Sequence, residues 1–110
     1  MNQIVKYGTK DLEKAYGKIT FADLLLAHRQ GEELTQSEMA ELLEVSKQCL
    51  CDLEKGRRIP SPSRAASIAE KLGMIPESFI ELAIQDHLRE DSLDYHVSLS
   101  KKKPSNKKAS

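Results

Sequence analysis

Apolar residues recur three and four positions apart along most of the chain, and each such run is bracketed by residues that start or stop helices. Thr20 opens the first main run, with Phe21, Leu24, Leu25 and His28 on one side and Gly31 at its end. Thr35 opens the second, with Glu38 placed three residues on to complete a capping box, and Met39, Ala40, Leu42 and Leu43 forming its apolar stripe. Ser46 offers a new N-cap so soon afterwards that the second helix must end near Glu44, and the two helices must cross steeply. In the third, Leu50 and Leu53 face inward, which leaves Lys47, Gln48, Cys51, Asp52 and Lys55 pointing elsewhere. Gly56 ends that helix. Ser61 and Pro62 start a fourth, with Ala65, Ile68, Ala69 and Leu72 buried up to Gly73. Pro76 starts a fifth, whose apolar set Phe79, Ile80, Leu82, Ala83 and Ile84 is wider than one core contact needs.

Outside these five helices the pattern changes. Residues 9–17 suit a short helix ended by glycine, either packing Leu12 and Tyr16 on the body or serving as a DNA-contacting arm through Lys6, Lys10 and Lys14. Tyr95, Val97 and Leu99 alternate with polar residues, as in a short strand that needs a partner edge. From Ser100 onward the composition is Lys, Ser, Asn and Pro, which predicts disorder. The expected division is an N-terminal extension over 1–18, a helical domain over 19–90, and a strand-like segment with a Lys-rich tail over 91–110.

Two short helices joined by a tight turn and followed by a basic segment define a helix-turn-helix. Over roughly Phe21 to Gly73 the chain resembles the lambda-repressor-like family of Cro, phage repressors and XRE regulators. The resemblance is carried by Arg29, Thr35-Gln36, Ala40, Val45-Ser46, Leu50, and Leu53-Glu54-Lys55-Gly56 leading to Pro60. It implies an all-α, five-helix DNA-binding domain. It also implies that Arg29 pairs with Glu54 to tie the first helix to the third, and that Gln36 contacts phosphate and braces the recognition helix. One residue departs from the pattern, because Glu44 stands where the family has glycine in the turn, a place where a left-handed backbone strains a residue with a side chain.

The major groove admits one helix, and side chains near that helix's N-terminus and on its outer face meet base edges. Here those are Lys47, Gln48 and Asp52, which can pair with guanine, adenine and cytosine respectively. Ser46, Lys55, Arg57 and Arg58, with Gln36, are placed to hold phosphates. The formal charge is balanced, 17 basic against 17 acidic residues, yet its distribution is not. Charges from Glu32 to Glu44 are all acidic, bases outnumber acids from Lys47 to Arg64, acids dominate from Glu77 to Asp94, and the last ten residues carry only Lys.

Cys49 and Cys51 point in different directions, and no His or further Cys at ligand spacing completes a metal site, so neither metal nor cofactor is expected. His28, His87 and His96 share no ligand-like spacing. No Gly-rich phosphate loop or nucleophile with a base supports an enzyme. No apolar run is long enough to cross a membrane and no signal-type segment opens the chain, so the expected location is cytoplasmic, at the bacterial nucleoid.

The width of the fifth helix's stripe points to a homodimer on a pseudo-palindromic operator. The YGT start, the SKQCLCDLEKGRRIPSP centre and the strand-like end are together similar to HigA-type antitoxins, which implies operon autoregulation and a RelE/ParE-like toxin partner. Tyr95, Val97 and Leu99 are the expected contacts to that partner. The alternatives are a stand-alone XRE-family regulator, or an interaction module that has lost DNA binding.

Overall fold

A computed structural model describes residues 19–102. Five helices follow one another: α1 Phe21–Gly31, α2 Gln36–Leu43, α3 Lys47–Glu54, α4 Pro62–Lys71 and α5 Pro76–Glu90. They form the all-α body that the periodicity requires. The expected helix over 9–17 and most of the Lys-rich tail fall outside the described residues.

Hydroxyl side chains start four of the helices. Thr20 and Thr35 each form a complete capping box, with Asp23 and Glu38 respectively, while Ser46 caps α3 and Ser61 caps α4. At the other end all five helices close in the same way. The residue just past each helix, Glu33, Glu44, Gly56, Gly73 or Ser92, takes a positive φ. The next amide then reaches back five residues to a helix carbonyl, as in Val45 to Ala40 at 3.0 Å and Met74 to Ala69 at 2.8 Å. Only two of these five positions are glycine. Glu44, at φ 61 and ψ 42, adopts the left-handed conformation that the family's glycine would adopt freely. Lys71 braces that turn from α4, donating to the Leu43 carbonyl at 3.3 Å and lying 3.6 Å from the Glu44 carboxylate.

The core lies where the helices converge, built from Phe21, Leu25, Met39, Leu43, Leu50, Leu53, Ile68 and Phe79 with Ala40, Ala65, Ala69 and Ala83 allowing close approach. Phe21 and Phe79 meet edge to face at 5.7 Å, joining the first and last helices. The same joint is secured by Asp86, whose buried carboxylate accepts the Phe21 amide at 2.8 Å and Arg89 at 2.7 Å. Burial pushes the Asp86 carboxyl above the usual carboxylate range, against the opposing pull of the Phe21 amide and Arg89. Leu42, expected in the α2 stripe, is instead 47% exposed, because the stripe of an eight-residue helix closes on Met39, Ala40 and Leu43. His28 is half-buried.

The expected strand at Tyr95–Leu99 is not formed. The segment after Ser92 takes no regular secondary structure and folds back along α5, where side chains satisfy backbone groups that a strand would offer to a partner. The Gln85 amide donates to the Tyr95 carbonyl at 2.6 Å and accepts from the Val97 amide at 2.7 Å, and Glu81 accepts from the Leu99 amide at 3.0 Å. A carboxamide presents the same donor and acceptor as a peptide unit, so Gln85 replaces the missing neighbour. Val97 is half-buried against α5, while Tyr95, at 70% exposed, and Leu99 face outward.

Candidate nucleic-acid interface

Helix α3 is held by three buried groups and presents the rest. Leu50 and Leu53 enter the core, and the Glu54 side chain, 3% exposed, sits in a pocket of donors. Arg29 Nε lies 2.6 Å from Glu54 Oε2 and Nη2 lies 3.2 Å from Oε1, a bidentate pair between α1 and α3. Gln36 Nε2 adds a third donor to Oε1 at 2.9 Å, and Arg29 Nη1 caps the Leu34 carbonyl at 2.9 Å. One carboxylate therefore fixes α1, the start of α2 and the end of α3 together. The structure brings Arg29, Gln36 and Glu54 together, with the Gln36 amide nitrogen turned inward onto Glu54.

On the outer side a second network forms. Asp52 Oδ1 accepts from Gln48 Nε2 at 3.0 Å and from Arg57 Nη1 at 3.1 Å. The i,i+4 spacing on α3 brings Gln48 to Asp52, and the turn after Gly56 brings Arg57 back over the helix, with the Arg57 amide on the Asp52 carbonyl at 2.9 Å. The Arg57 guanidinium, and then the Gln48 amide, hold the Asp52 carboxyl below the usual carboxylate range, and Asp52 in turn pushes the Arg57 guanidinium up. The face is thus charged but locally matched. Lys47, Gln48, Lys55, Arg57 and Arg58 are exposed around it, and Asp52 is half-buried between Gln48 and Arg57. Ser46 Oγ is occupied as the α3 cap, accepting the Cys49 amide at 2.9 Å.

Arg58 is directed differently from Arg57. It lines a cleft of about 440 Å³ between the start of α1, the end of α3 and the end of α5, together with Lys55 and Glu54. Tyr95, Val97 and Leu99 lie in the segment tethered to α5 by Gln85 and Glu81 and not on the α3 face.

Sequence reasoning missed Arg64. It stands in the first turn of α4, exposed, and its Nη2 donates to Cys49 Sγ at 3.4 Å, which places a fifth cation beside the recognition helix. The signal was its place at the end of the basic segment that begins at Lys47. Cys49 and Cys51 are free thiols on different sides of α3, one against Arg64 and the other against Arg57.

Two short helices joined by a tight turn, the second pinned from behind by a buried ion pair and exposing polar and basic side chains in front, form a helix-turn-helix of the DNA-binding kind. The comparisons agree. A helix-turn-helix family model matches residues 25–80, and the chain belongs to this lambda-repressor-like family. It is similar to an uncharacterized HTH-type transcriptional regulator of Methanothermobacter thermautotrophicus, 46% identical over 50 residues that cover 46% of this chain and 72% of the relative. No solved structure matches it. Membership places the chain among DNA-binding proteins and not among enzymes. No described helix is long and apolar enough to cross a membrane.

Proposed function

We propose that the protein is a transcriptional repressor that binds double-stranded DNA by inserting α3 into the major groove. The observation that carries this reading is the two-sided construction of α3: Arg29, Gln36 and Glu54 lock it from behind, and Lys47, Gln48 and Asp52 share its outer face. Lys47 and Gln48 meet base edges. Gln36, Ser46, Lys55, Arg57 and Arg58 serve the phosphates on either side.

Two substitutions separate reading from gripping. Gln48→Ala loses about 1 to 3 kcal/mol on the operator and relaxes one base position, whereas Arg57→Ala weakens all sequences alike and flattens the salt slope by about one unit. Equal losses on operator and random DNA for both variants would remove Gln48 from base readout.

Dimerisation through α5 completes the reading. Ile80, Ile84 and Leu88 stand four apart and half-buried, a line of the kind a second copy covers. Two copies present their recognition helices to half-sites roughly 34 Å apart, which sedimentation and footprinting measure together.

The finer reading is an antitoxin that represses its own operon and neutralises a RelE/ParE-like toxin. Its support is the similarity of the chain's start, centre and end to HigA-type antitoxins, together with the outward-facing Tyr95 and Leu99 beside Val97. The acidic stretch from Glu77 to Asp94 suits a basic partner. Truncation after Glu90 tests it: operator binding persists while rescue from the neighbouring gene's product is lost. Full rescue by the truncated protein would move the contact elsewhere, and the absence of any toxic neighbour would leave a stand-alone regulator.

A further inference from the structure

The bond between Gln48 and Asp52 fixes more than a surface contact. An ionised carboxylate only accepts, so the Gln48 atom 3.0 Å from Asp52 Oδ1 is the amide nitrogen and not the oxygen. A glutamine side chain alone turns either way at little cost. Here one of its two N–H groups is committed to Asp52, and Oε1 with the second N–H remain for DNA. Arg57 holds the same Oδ1 at 3.1 Å and compensates the carboxylate where it would otherwise repel phosphate.

We propose that Asp52 is a positioning residue: by holding the Gln48 amide nitrogen it fixes which way round the carboxamide meets the DNA, so that the base under Gln48 is read as adenine. This rests on the DNA-reading function proposed above. Adenine offers an amino donor at N6 beside an acceptor at N7, which matches an acceptor beside a donor. Guanine offers two acceptors, so Oε1 would face O6. Thymine sets an acceptor and a methyl group there, and cytosine supplies the amino donor without the adjacent acceptor. In water the exposed bond orients Gln48 weakly. In the groove, where water is excluded, a charge-assisted bond strengthens and the wrong orientation loses it.

The roles of Asp52 as cytosine reader and as positioning residue predict different outcomes. Full-length protein is used to select its operator from random DNA, and Gln48→Ala identifies the position that Gln48 reads. All four bases are then compared there. Wild type should prefer adenine over guanine by about 5- to 150-fold. Asp52→Asn can donate as well as accept, so Gln48 turns either way and the ratio should fall by at least about twofold, the statistical weight of the second orientation, and further where the turned amide donates to guanine O6. Asp52→Ala should do the same and guards against a peculiarity of one variant. Circular dichroism melts establish that both fold. Loss of Arg57's tether changes affinity for every base equally and leaves the ratio to report on Gln48 alone.

An unchanged ratio in both Asp52 variants overturns the proposal. So does a change in base preference on adding Asp52→Asn to Gln48→Ala, since Asp52 would then touch a base itself. A wild-type protein with no base preference at any position would refute the DNA-reading function, which is a different result from a preference that ignores Asp52.

Discussion

Replacing Arg29 with Met tests whether the ion pair behind the recognition helix is a structural anchor or a surface contact. In the native chain Glu54 accepts from Arg29 Nε at 2.6 Å, Arg29 Nη2 at 3.2 Å and Gln36 Nε2 at 2.9 Å, with its side chain 3% exposed and that of Arg29 16%. The variant leaves a buried carboxylate with the Gln36 amide alone and also strips Nη1 from the Leu34 carbonyl. Removing one member of a buried pair costs about 3 to 5 kcal/mol, against a total stability of about 5–15 kcal/mol for a small domain. At about 4–8 °C per kcal/mol the melting temperature should fall by at least about 12 °C. The double variant Arg29→Met with Glu54→Leu removes the stranded charge and should recover most of the loss, because an apolar pair of similar volume often replaces a buried ion pair without cost. Urea unfolding with a shared m-value measures both. A single-variant loss below about 1 kcal/mol, the scale of an exposed pair, would refute the argument. A double variant no more stable than the single would refute the stranded-charge explanation.

Other parts of the structure make independent predictions. Glu44→Gly should stabilise the protein by about 1 kcal/mol, since relief of the left-handed strain outweighs the added freedom of the unfolded chain; thermal melts would show it, and a destabilised variant would mean that Lys71 contributes more than an exposed contact 3.6 Å away should. Carboxyl titration by NMR should find Asp86 above the usual carboxylate range and Asp52 below it. The stability consequences have opposite signs: Asp52 contributes stability above its unfolded-state pKa that is lost as pH falls through its depressed folded value, whereas the Asp86 contribution is full below its unfolded-state pKa and is lost as pH rises through its raised folded value. Gln85→Ala should abolish hydrogen-exchange protection at the Val97 amide while leaving the α3 amides protected, and retained protection at Val97 would mean that other contacts hold the segment to α5.

Helix starts were legible in the sequence because each depends on two or three local residues. Thr20, Thr35, Ser46 and Ser61 sit where caps are needed, and the apolar spacing that follows each one fixes the buried face. Helix ends were less so. Gly56 and Gly73 announce theirs, but Glu33, Glu44 and Ser92 take the same positive φ with residues that give no such signal, and only resemblance to a family drew attention to Glu44. The strand expected at Tyr95–Leu99 failed for a related reason. Alternation predicts one covered side, yet only Val97 is half-buried while Tyr95 and Leu99 face outward, and a single glutamine twelve residues before Val97 occupies the hydrogen-bonding edge. Within the interface, the type of each outward residue could be read directly and the i,i+4 spacing places Gln48 beside Asp52, whereas the return of Arg57 over the helix depends on a turn whose path no pattern encodes. Arg64 was marked only by its place at the end of the basic segment, because it approaches α3 from another helix.

Formal neutrality is compatible with DNA binding because the acids are placed apart from the outer face of α3 or are paired where they approach it. Asp23 and Glu38 accept backbone amides at helix starts, Glu54 is enclosed by Arg29 and Gln36, Asp86 takes Phe21 and Arg89, and Asp52 holds Arg57. Glu54, Asp52 and Asp86 each lie against an arginine, so the field of each pair falls off quickly, while Asp23 and Glu38 sit at the starts of α1 and α2 rather than on α3. Lys47, Lys55 and Arg58 have their charges at the surface around α3, and Arg57 and Arg64 add to them. A phosphate approaching the recognition helix therefore meets mainly cations, while the same phosphate near α5 meets Glu77, Glu81 and Glu90. On the proposed reading this arrangement would orient the protein on the duplex before any base is touched, and the summed charge of the chain, being zero, carries no information about it.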